Sequence, residues 1–175
     1  MNLYVSCRRS DAAVRAARLA ESLAQRLGKG RVTWDADLLE AGADFRAQVS
    51  RALAQADAML VVIGPRWLNI TDDQNQRRLD KPDDWIRIET RLALQRNIRV
   101  IPVLAENAQP PTMDALPDEI KSLARREAHE LSDKRWDYDV QCLIEALEKI
   151  PGIRRKVQAT TFSQNAPVQP VTTRL

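Results

Sequence analysis

The segment AMLVVIGP at residues 58–65 decides the fold of this chain. Six apolar residues in succession, closed by a Gly-Pro turn, are typical of a parallel strand that is buried on both faces. Four further short strands are predicted, at Leu3 to Ser6, Arg31 to Trp34, Ile98 to Leu104 and Glu127 to Leu131. Because segments with helical spacing of apolar residues separate these strands, we expect an α/β domain with five parallel strands, right-handed crossovers and helices on both faces.

Capping residues and apolar spacing predict where the helices lie. The expected helices are one capped by Asp11 and ended by Gly28, one capped by Asp44, one from Pro82 to Arg96, a short one from Pro117 to Arg125, and one from Asp137 to Ile150. From Pro151 onward the periodicity disappears and Thr, Gln, Pro and Val dominate. We therefore expect one domain over residues 1–150, and a linker or unfolded tail over 151–175 that leads to a further, regulatory domain.

The composition indicates which binding partners and which cellular compartment to expect for this chain. The formal net charge of +3 fits a site for a small anion but is too weak to indicate direct nucleic-acid binding. The chain has two cysteines without CxxC spacing, which favours reduced thiols in a cytoplasmic protein over a disulfide framework. No apolar segment approaches the ~20 residues that a membrane span needs, so no membrane contact is expected of this fragment.

Missing motifs exclude several enzyme classes that share this fold class. The turn after the first strand is CRRSD at residues 7–11, where a dinucleotide-binding Rossmann domain has GxGxxG, and the chain has no P-loop. A receiver domain needs acidic residues at that turn and a phosphoacceptor Asp after the third strand, where this chain has Gly64 and Pro65. His129 is the only histidine, and it lies in a predicted edge strand far along the chain. A serine or cysteine hydrolase triad therefore has no well-placed histidine base, and the chain has too few ligands for a catalytic metal site.

Four segments carry a resemblance to a known family. LYVSCRRS at residues 3–10, DADLLEAG at 35–42, VVIGPRWL at 61–68 and WIRIE at 85–89 occur in this order. They resemble the first box, the BB loop, a VIGPRWL segment and the WxxxE helix of TIR (Toll/interleukin-1 receptor) domains of the bacterial, NAD-cleaving type. The resemblance spans about residues 1–149, and it implies a flavodoxin-like sheet.

The resemblance also implies an activity. Such domains are NAD+ glycohydrolases or cyclases that release nicotinamide and form ADP-ribose or a cyclised ADP-ribose. They often act in bacterial anti-phage signalling and depend on self-association through TIR–TIR contacts. For this chain the resemblance makes Glu89 the catalytic carboxylate and NAD+ the substrate, with no cofactor and no metal. It also places Arg9 at the NAD+ pocket and Phe45 where a ring stacks on nicotinamide.

The residues support this chemistry independently of the family. Trp85 and Glu89 are four apart on an expected helix, so an aromatic ring and a carboxylate share one face. Nicotinamide leaves as a neutral base, so the reaction needs no general acid. One carboxylate can stabilise the oxocarbenium-like ribosyl centre, whereas ordinary glycosidases need two carboxylates.

Further substrate-binding candidates come from the carboxyl ends of the strands, where ligands bind in such sheets. They are Ser6, Arg8, Arg9, Trp34 and Phe45. Guanidinium groups suit the pyrophosphate, although Arg8 is as easily an exposed arginine, and Trp34 is more simply a packing residue. A binding-only interaction module remains the alternative to an enzyme, because Glu89 on its own is more simply a solvated helix residue paired with a nearby arginine.

Overall fold

Five parallel strands form the centre of the computed structural model, which describes residues 1–38 and 42–150. The strands are β1 (Leu3–Cys7), β2 (Val32–Trp34), β3 (Ala58–Ile63), β4 (Arg99–Ala105) and β5 (His129–Leu131). Their order across the sheet is β2-β1-β3-β4-β5, and every neighbouring pair is parallel. The prediction of a five-stranded parallel α/β sheet with the flavodoxin-like order is therefore confirmed.

Helices cover both faces of this sheet, as expected. They are α1 (Arg9–Leu27), α2 (Phe45–Gln55), α3 (Trp85–Gln95) and α4 (Trp136–Glu148). The apolar side chains of α1 and α4 pack on one face, and those of α2 and α3 pack on the other. In β1, Leu3 and Val5 face the first layer while Tyr4 faces the second. Burial on both faces explains why β3 is apolar without alternation and why β1 is apolar except at Ser6.

The start of α1 differs from the sequence-based expectation. Arg8, not Asp11, occupies the N-cap position, and its side chain makes no capping hydrogen bond. The Asp11 carboxylate instead accepts a hydrogen bond of 2.9 Å from the backbone N–H of Arg66, in the loop after β3. A Cβ atom at Gly64 would lie 2.5 Å from an Asp11 oxygen, so this contact requires glycine. Asp11 therefore joins α1 to the end of β3, a long-range role that local capping rules do not consider.

The start of α3 also differs. The helix begins at Trp85, three residues after Pro82, because the Asp84 side chain caps it by accepting a hydrogen bond of 3.2 Å from the backbone N–H of Arg87. By contrast, the expected Asp44 cap of α2 is confirmed, with bonds from the N–H groups of Arg46 and Ala47. A side-chain acceptor thus marks the starts of α2 and α3, and at α3 it does so better than the proline does.

Smaller differences concern the C-terminal third of the domain. The short helix predicted from Pro117 is a 3₁₀-helix over Asp118–Arg125, and α4 begins at Trp136 and ends at Glu148. Pro102 lies within the interior strand β4, but β5 pairs with β4 only from Val103 onward. Pro102 therefore lies before the segment that pairs with this edge strand.

Two expectations concern parts of the chain outside the described residues. Residues 39–41, in the middle of the predicted BB loop, and the predicted tail over 151–175 both fall there. Within residues 1–38 and 42–150, no helix is long and apolar enough to cross a membrane.

Candidate functional site

A cleft of about 490 Å³ opens at the carboxyl ends of β1 and β2, between the start of α2 and the first turns of α3. Parallel α/β sheets place their ligands at this edge. The residues that line the cleft are Cys7, Arg8, Arg9, Ser10, Asp35, Phe45, Arg78, Asp84, Trp85, Ile86 and Glu89. The cleft therefore combines carboxylates, guanidinium groups and two aromatic rings.

Glu89 is a deeply buried acid of the cleft, with 1% of its surface exposed. Its Oε1 accepts a hydrogen bond of 2.9 Å from the Tyr4 hydroxyl, and its Oε2 accepts one from the Ser6 hydroxyl. Tyr4 and Ser6 are two apart on β1, so both hydroxyls point from the same face of the strand toward α3. Burial, followed by the negative charge of Asp35, raises the pKa of Glu89 to about 8.

Asp35 is a second buried acid at this site. It directly follows β2, and its Oδ2 accepts a hydrogen bond of 3.3 Å from the backbone N–H of Cys7. Burial raises its pKa to about 6, although the Cys7 N–H and the charge of Arg9 act in the opposite direction. At pH 7 Asp35 is therefore largely ionised while Glu89 still holds its proton in the free protein.

Arg8 and Asp84 form a buried ion pair at the wall of the cleft. Two hydrogen bonds of 2.8 and 3.1 Å join the guanidinium to the carboxylate. The Arg8 side chain is 4% exposed and that of Asp84 is 1% exposed. Since Asp84 also caps α3, the pair fixes the turn after β1 against the start of the helix that carries Glu89. The two-pronged geometry suits arginine better than lysine.

Arg9 differs from its neighbour Arg8 in that its side chain is exposed. It lines the mouth of the cleft and forms no ion pair with another residue of the described part of the chain. Arg8 is occupied by Asp84, so Arg9 is the guanidinium at this turn that remains available to an anion.

Two aromatic rings form another wall. The rings of Phe45 and Trp85 meet edge to face, with centroids 4.5 Å apart and planes at 86°. The Arg46 guanidinium lies 5.8 Å from the centroid of the Trp85 ring. Trp85 is half-buried, so part of its surface faces the cleft. Because Trp85 lies one helical turn before Glu89, the aromatic surface and the carboxylate line the same cavity.

The structure brings most of the predicted site residues together. Arg8, Arg9, Phe45, Trp85 and Glu89 all line the cleft, and Ser6 reaches it through its hydrogen bond to Glu89. The alternative that Arg8 is an exposed arginine is wrong, because Arg8 is buried and paired with Asp84. Trp34 is not among the lining residues and packs against the core layer of α1 and α4.

Tyr4 and Asp84 are absent from the predicted site, and Asp35 was predicted only as the first residue of the BB loop at the ligand-binding edge. Tyr4 gave no signal, since an aromatic residue in a buried strand is ordinarily a core residue. Asp35 and Asp84 could have been selected as site residues, because one follows a strand at that edge and the other precedes a helix as a capping residue. In the described ranges, no group of three His, Cys, Asp or Glu residues is placed to hold a metal ion.

Comparison with known proteins assigns this architecture to a family. The family model described as TIR domain matches residues 3–145. Among solved structures, the chain is similar to the TIR domains of the activated Roq1 resistosome, in a complex described as directly recognizing the pathogen effector XopQ. That match has a TM-score of 0.61 and 11% identity, and it covers 83% of this chain and 98% of the other. At this identity the likeness concerns the fold alone. No curated protein matches the chain.

Proposed function

Because the chain belongs to the TIR domain family, we propose that it is an NAD+ glycohydrolase that releases nicotinamide and forms ADP-ribose or a cyclised ADP-ribose. The observation that carries the proposal is the position of Glu89, a buried carboxyl group that lines the same cleft as Trp85, Phe45 and Arg9. This cleft offers groups for the nicotinamide ring, the ribosyl centre and the pyrophosphate of the substrate.

The reaction breaks the bond between the ring nitrogen of nicotinamide and the anomeric carbon of the ribose. The bonding electrons leave with nicotinamide, which becomes neutral, and positive charge develops on the ribosyl centre. An ionised Glu89 next to this centre stabilises that charge in a site largely shielded from water. Water then adds to the anomeric carbon and loses a proton, which gives ADP-ribose. Addition of a hydroxyl or ring nitrogen of the same molecule gives a cyclised product instead.

Substrate binding supplies the ionised state that this step needs. In the free protein the pKa of Glu89 is about 8 because of burial and the nearby Asp35. The nicotinamide ring of NAD+ is cationic, and a positive charge beside a carboxylate lowers its pKa. The Tyr4 and Ser6 hydroxyls already donate hydrogen bonds to both carboxylate oxygens, which also stabilises the ionised form. Glu89 therefore releases its proton to solvent as the cation enters.

The other cleft residues bind and orient the substrate. The aromatic pair of Phe45 and Trp85 offers a surface for the flat, cationic nicotinamide ring. Arg9 lies at the mouth of the cleft, where its unpaired guanidinium can contact the pyrophosphate. Arg8 acts as a positioning residue, since its guanidinium is held by Asp84 at the start of α3.

We place this activity in cytoplasmic anti-phage signalling, with self-association as its trigger. The Roq1 TIR domains belong to an activated resistosome, an example of the same fold inside an assembly. For the present chain this predicts more nicotinamide per molecule when the domains are clustered than when they are dilute.

The proposal is tested by incubating the chain with NAD+ at increasing surface density on vesicles and separating the products by chromatography. We expect nicotinamide and one ADP-ribose product, with a rate per molecule that rises with density. No nicotinamide at any density, together with concentration-dependent self-association, would instead support a non-catalytic interaction module.

A further inference from the structure

A second cleft, of about 450 Å³, lies at the opposite end of the sheet from the catalytic cleft. It opens at the amino ends of β4 and β5, beside the last turns of α4. Three arginines line it: Arg99 at the first position of β4, Arg125 at the end of the 3₁₀-helix, and Arg126 directly after it. The proposed NAD+ cleavage uses none of these residues.

These arginines differ from most others in the chain because their charges are not neutralised. Arg8 pairs with Asp84 and Arg87 pairs with Glu119, as is typical of the domain. The side chains of Arg99, Arg125 and Arg126, in contrast, form no ion pair or hydrogen bond with any other residue in the described ranges. One acid, Glu127, also lines the cleft. The arginines therefore exceed the acids by two charges in this cavity.

The positions of Arg125 and Arg126 are fixed by the packing of the segment that precedes them. Ile120 and Leu123 of the 3₁₀-helix are fully buried in the core layer of α2 and α3. The backbone N–H of Arg126 closes the helix by donating a 3.0 Å hydrogen bond to the carbonyl of Leu123. The two arginines thus extend from an anchored backbone, so the fold places both of them at this cleft.

Part of the cleft lining is apolar. Ile101 of β4 and the fully buried Leu143 of α4 belong to the core layer of α1 and α4, and Ala146 and Ile150 extend this lining around the end of α4. His129 also lines the cleft, and its Nε2 donates a hydrogen bond of 2.7 Å to the backbone carbonyl of Asp139. Ligand pockets typically combine such an apolar wall with a few polar groups that fix orientation.

From these observations we propose that the second cleft binds a nucleoside diphosphate or triphosphate, with the phosphates on Arg99, Arg125 and Arg126 and the base against Ala146 and Ile150. Several guanidinium groups around one cavity suit a ligand with several negative oxygens, since each can offer two parallel N–H donors to a phosphate. An apolar wall beside them suits a flat base. Because the two clefts lie at opposite ends of the strands, both can be occupied in one molecule.

The test is calorimetric titration of the full chain with ADP, inorganic pyrophosphate and adenosine. The protein carries Arg9→Gln throughout, so that binding at the catalytic cleft is weakened. We expect ADP to bind, pyrophosphate to bind more weakly, and adenosine alone not to bind. Adding Arg125→Gln and Arg126→Gln should weaken ADP binding by about tenfold or more, because two charge-assisted contacts are lost.

The matched control adds Lys29→Gln and Arg51→Gln, two exposed cations outside the cleft, and so removes the same net charge. This control should leave ADP affinity within about twofold, as expected when only long-range charge changes. An equal loss in the control would overturn the proposal in favour of nonspecific attraction. Absence of ADP binding, or ADP binding that Arg125→Gln and Arg126→Gln do not weaken, would also overturn it. Equal melting temperatures of the variants show that any loss is not caused by unfolding.

Discussion

The burial of Glu89 should make the stability of the domain depend on pH in a direction opposite to that of most acids. The carboxyl is 1% exposed, and its pKa is raised from 4.5 to about 8. Below pH 4.5 the folded and unfolded chains both hold this proton. Between pH 4.5 and about pH 8 the folded chain keeps the Glu89 proton, whereas the unfolded chain releases it. The free energy of unfolding must therefore fall as the pH rises through this window.

The size of the effect follows from the shift. One pKa unit corresponds to about 1.4 kcal/mol, so the loss of stability from Glu89 between pH 5 and pH 9 is on the order of 4 kcal/mol. The perturbation is Glu89→Gln, which removes the titrating group but keeps its shape. A glutamine oxygen can accept from one of the hydroxyls of Tyr4 and Ser6, and its amide can donate to the other.

The assay is urea unfolding at pH 5, 7 and 9, followed by tryptophan fluorescence. Asp35 also has a raised pKa, but it titrates in both proteins, so the difference between the two pH dependences isolates Glu89. We expect wild type to lose on the order of 4 kcal/mol more than Glu89→Gln between pH 5 and pH 9. Glu148→Gln, on the exposed side of α4, serves as the control and should behave as wild type. Parallel pH dependences of wild type and Glu89→Gln would show that burial does not raise the pKa of Glu89.

Three further predictions concern the ion pair, the aromatic wall and the rate. Asp84→Asn keeps a side chain that can cap α3 but leaves the buried Arg8 unpaired. It should therefore lower the free energy of unfolding, measured in urea, by about 3 kcal/mol. The control Asp83→Asn, at an exposed position, should change this free energy little, and equal effects of the two variants would contradict the ion-pair role. Trp85→Ala should raise the KM for NAD+ about tenfold in a nicotinamide-release assay, with Trp85→Phe closer to wild type; an unchanged KM would remove the ring from the binding site. The kcat/KM for nicotinamide release should rise with pH up to about 8, the pKa of Glu89 in the free protein. A kcat/KM that falls between pH 6 and pH 8 would contradict the requirement for an ionised Glu89.

The sequence predicts this fold well wherever the signal is local. The strand β3 has the bounds of its apolar segment, Ala58–Ile63, because a strand buried on both faces needs apolar residues throughout. Asp44 caps α2 as its position predicts. The roles of Asp11 and Asp84 were missed because their partners are distant: Asp11 meets the loop after β3, and Asp84 meets Arg8, which is 76 residues away.

The candidate site likewise combines features that are local in the sequence with features that depend on long-range contacts. The spacing of Trp85 and Glu89 on one helix face is a local property, so the sequence could predict that they lie together. Asp35 joins them only because β2 pairs with β1 and ends at the same edge of the sheet. The raised pKa of Glu89 depends on burial and on this neighbour. Neither the burial of Glu89 nor its proximity to Asp35 can be predicted from the spacing of residues along the sequence.

The most direct test of the central claim is nicotinamide release from NAD+ by clustered wild type, Glu89→Gln and the control Glu148→Gln at pH 8. We expect wild type and Glu148→Gln to release nicotinamide at similar rates. Glu89→Gln should be at least about a hundredfold slower, because one preorganised charge-stabilising group contributes that much or more, and its melting temperature should show that it is folded. Nicotinamide release by folded Glu89→Gln at the wild-type rate would contradict a catalytic role of Glu89.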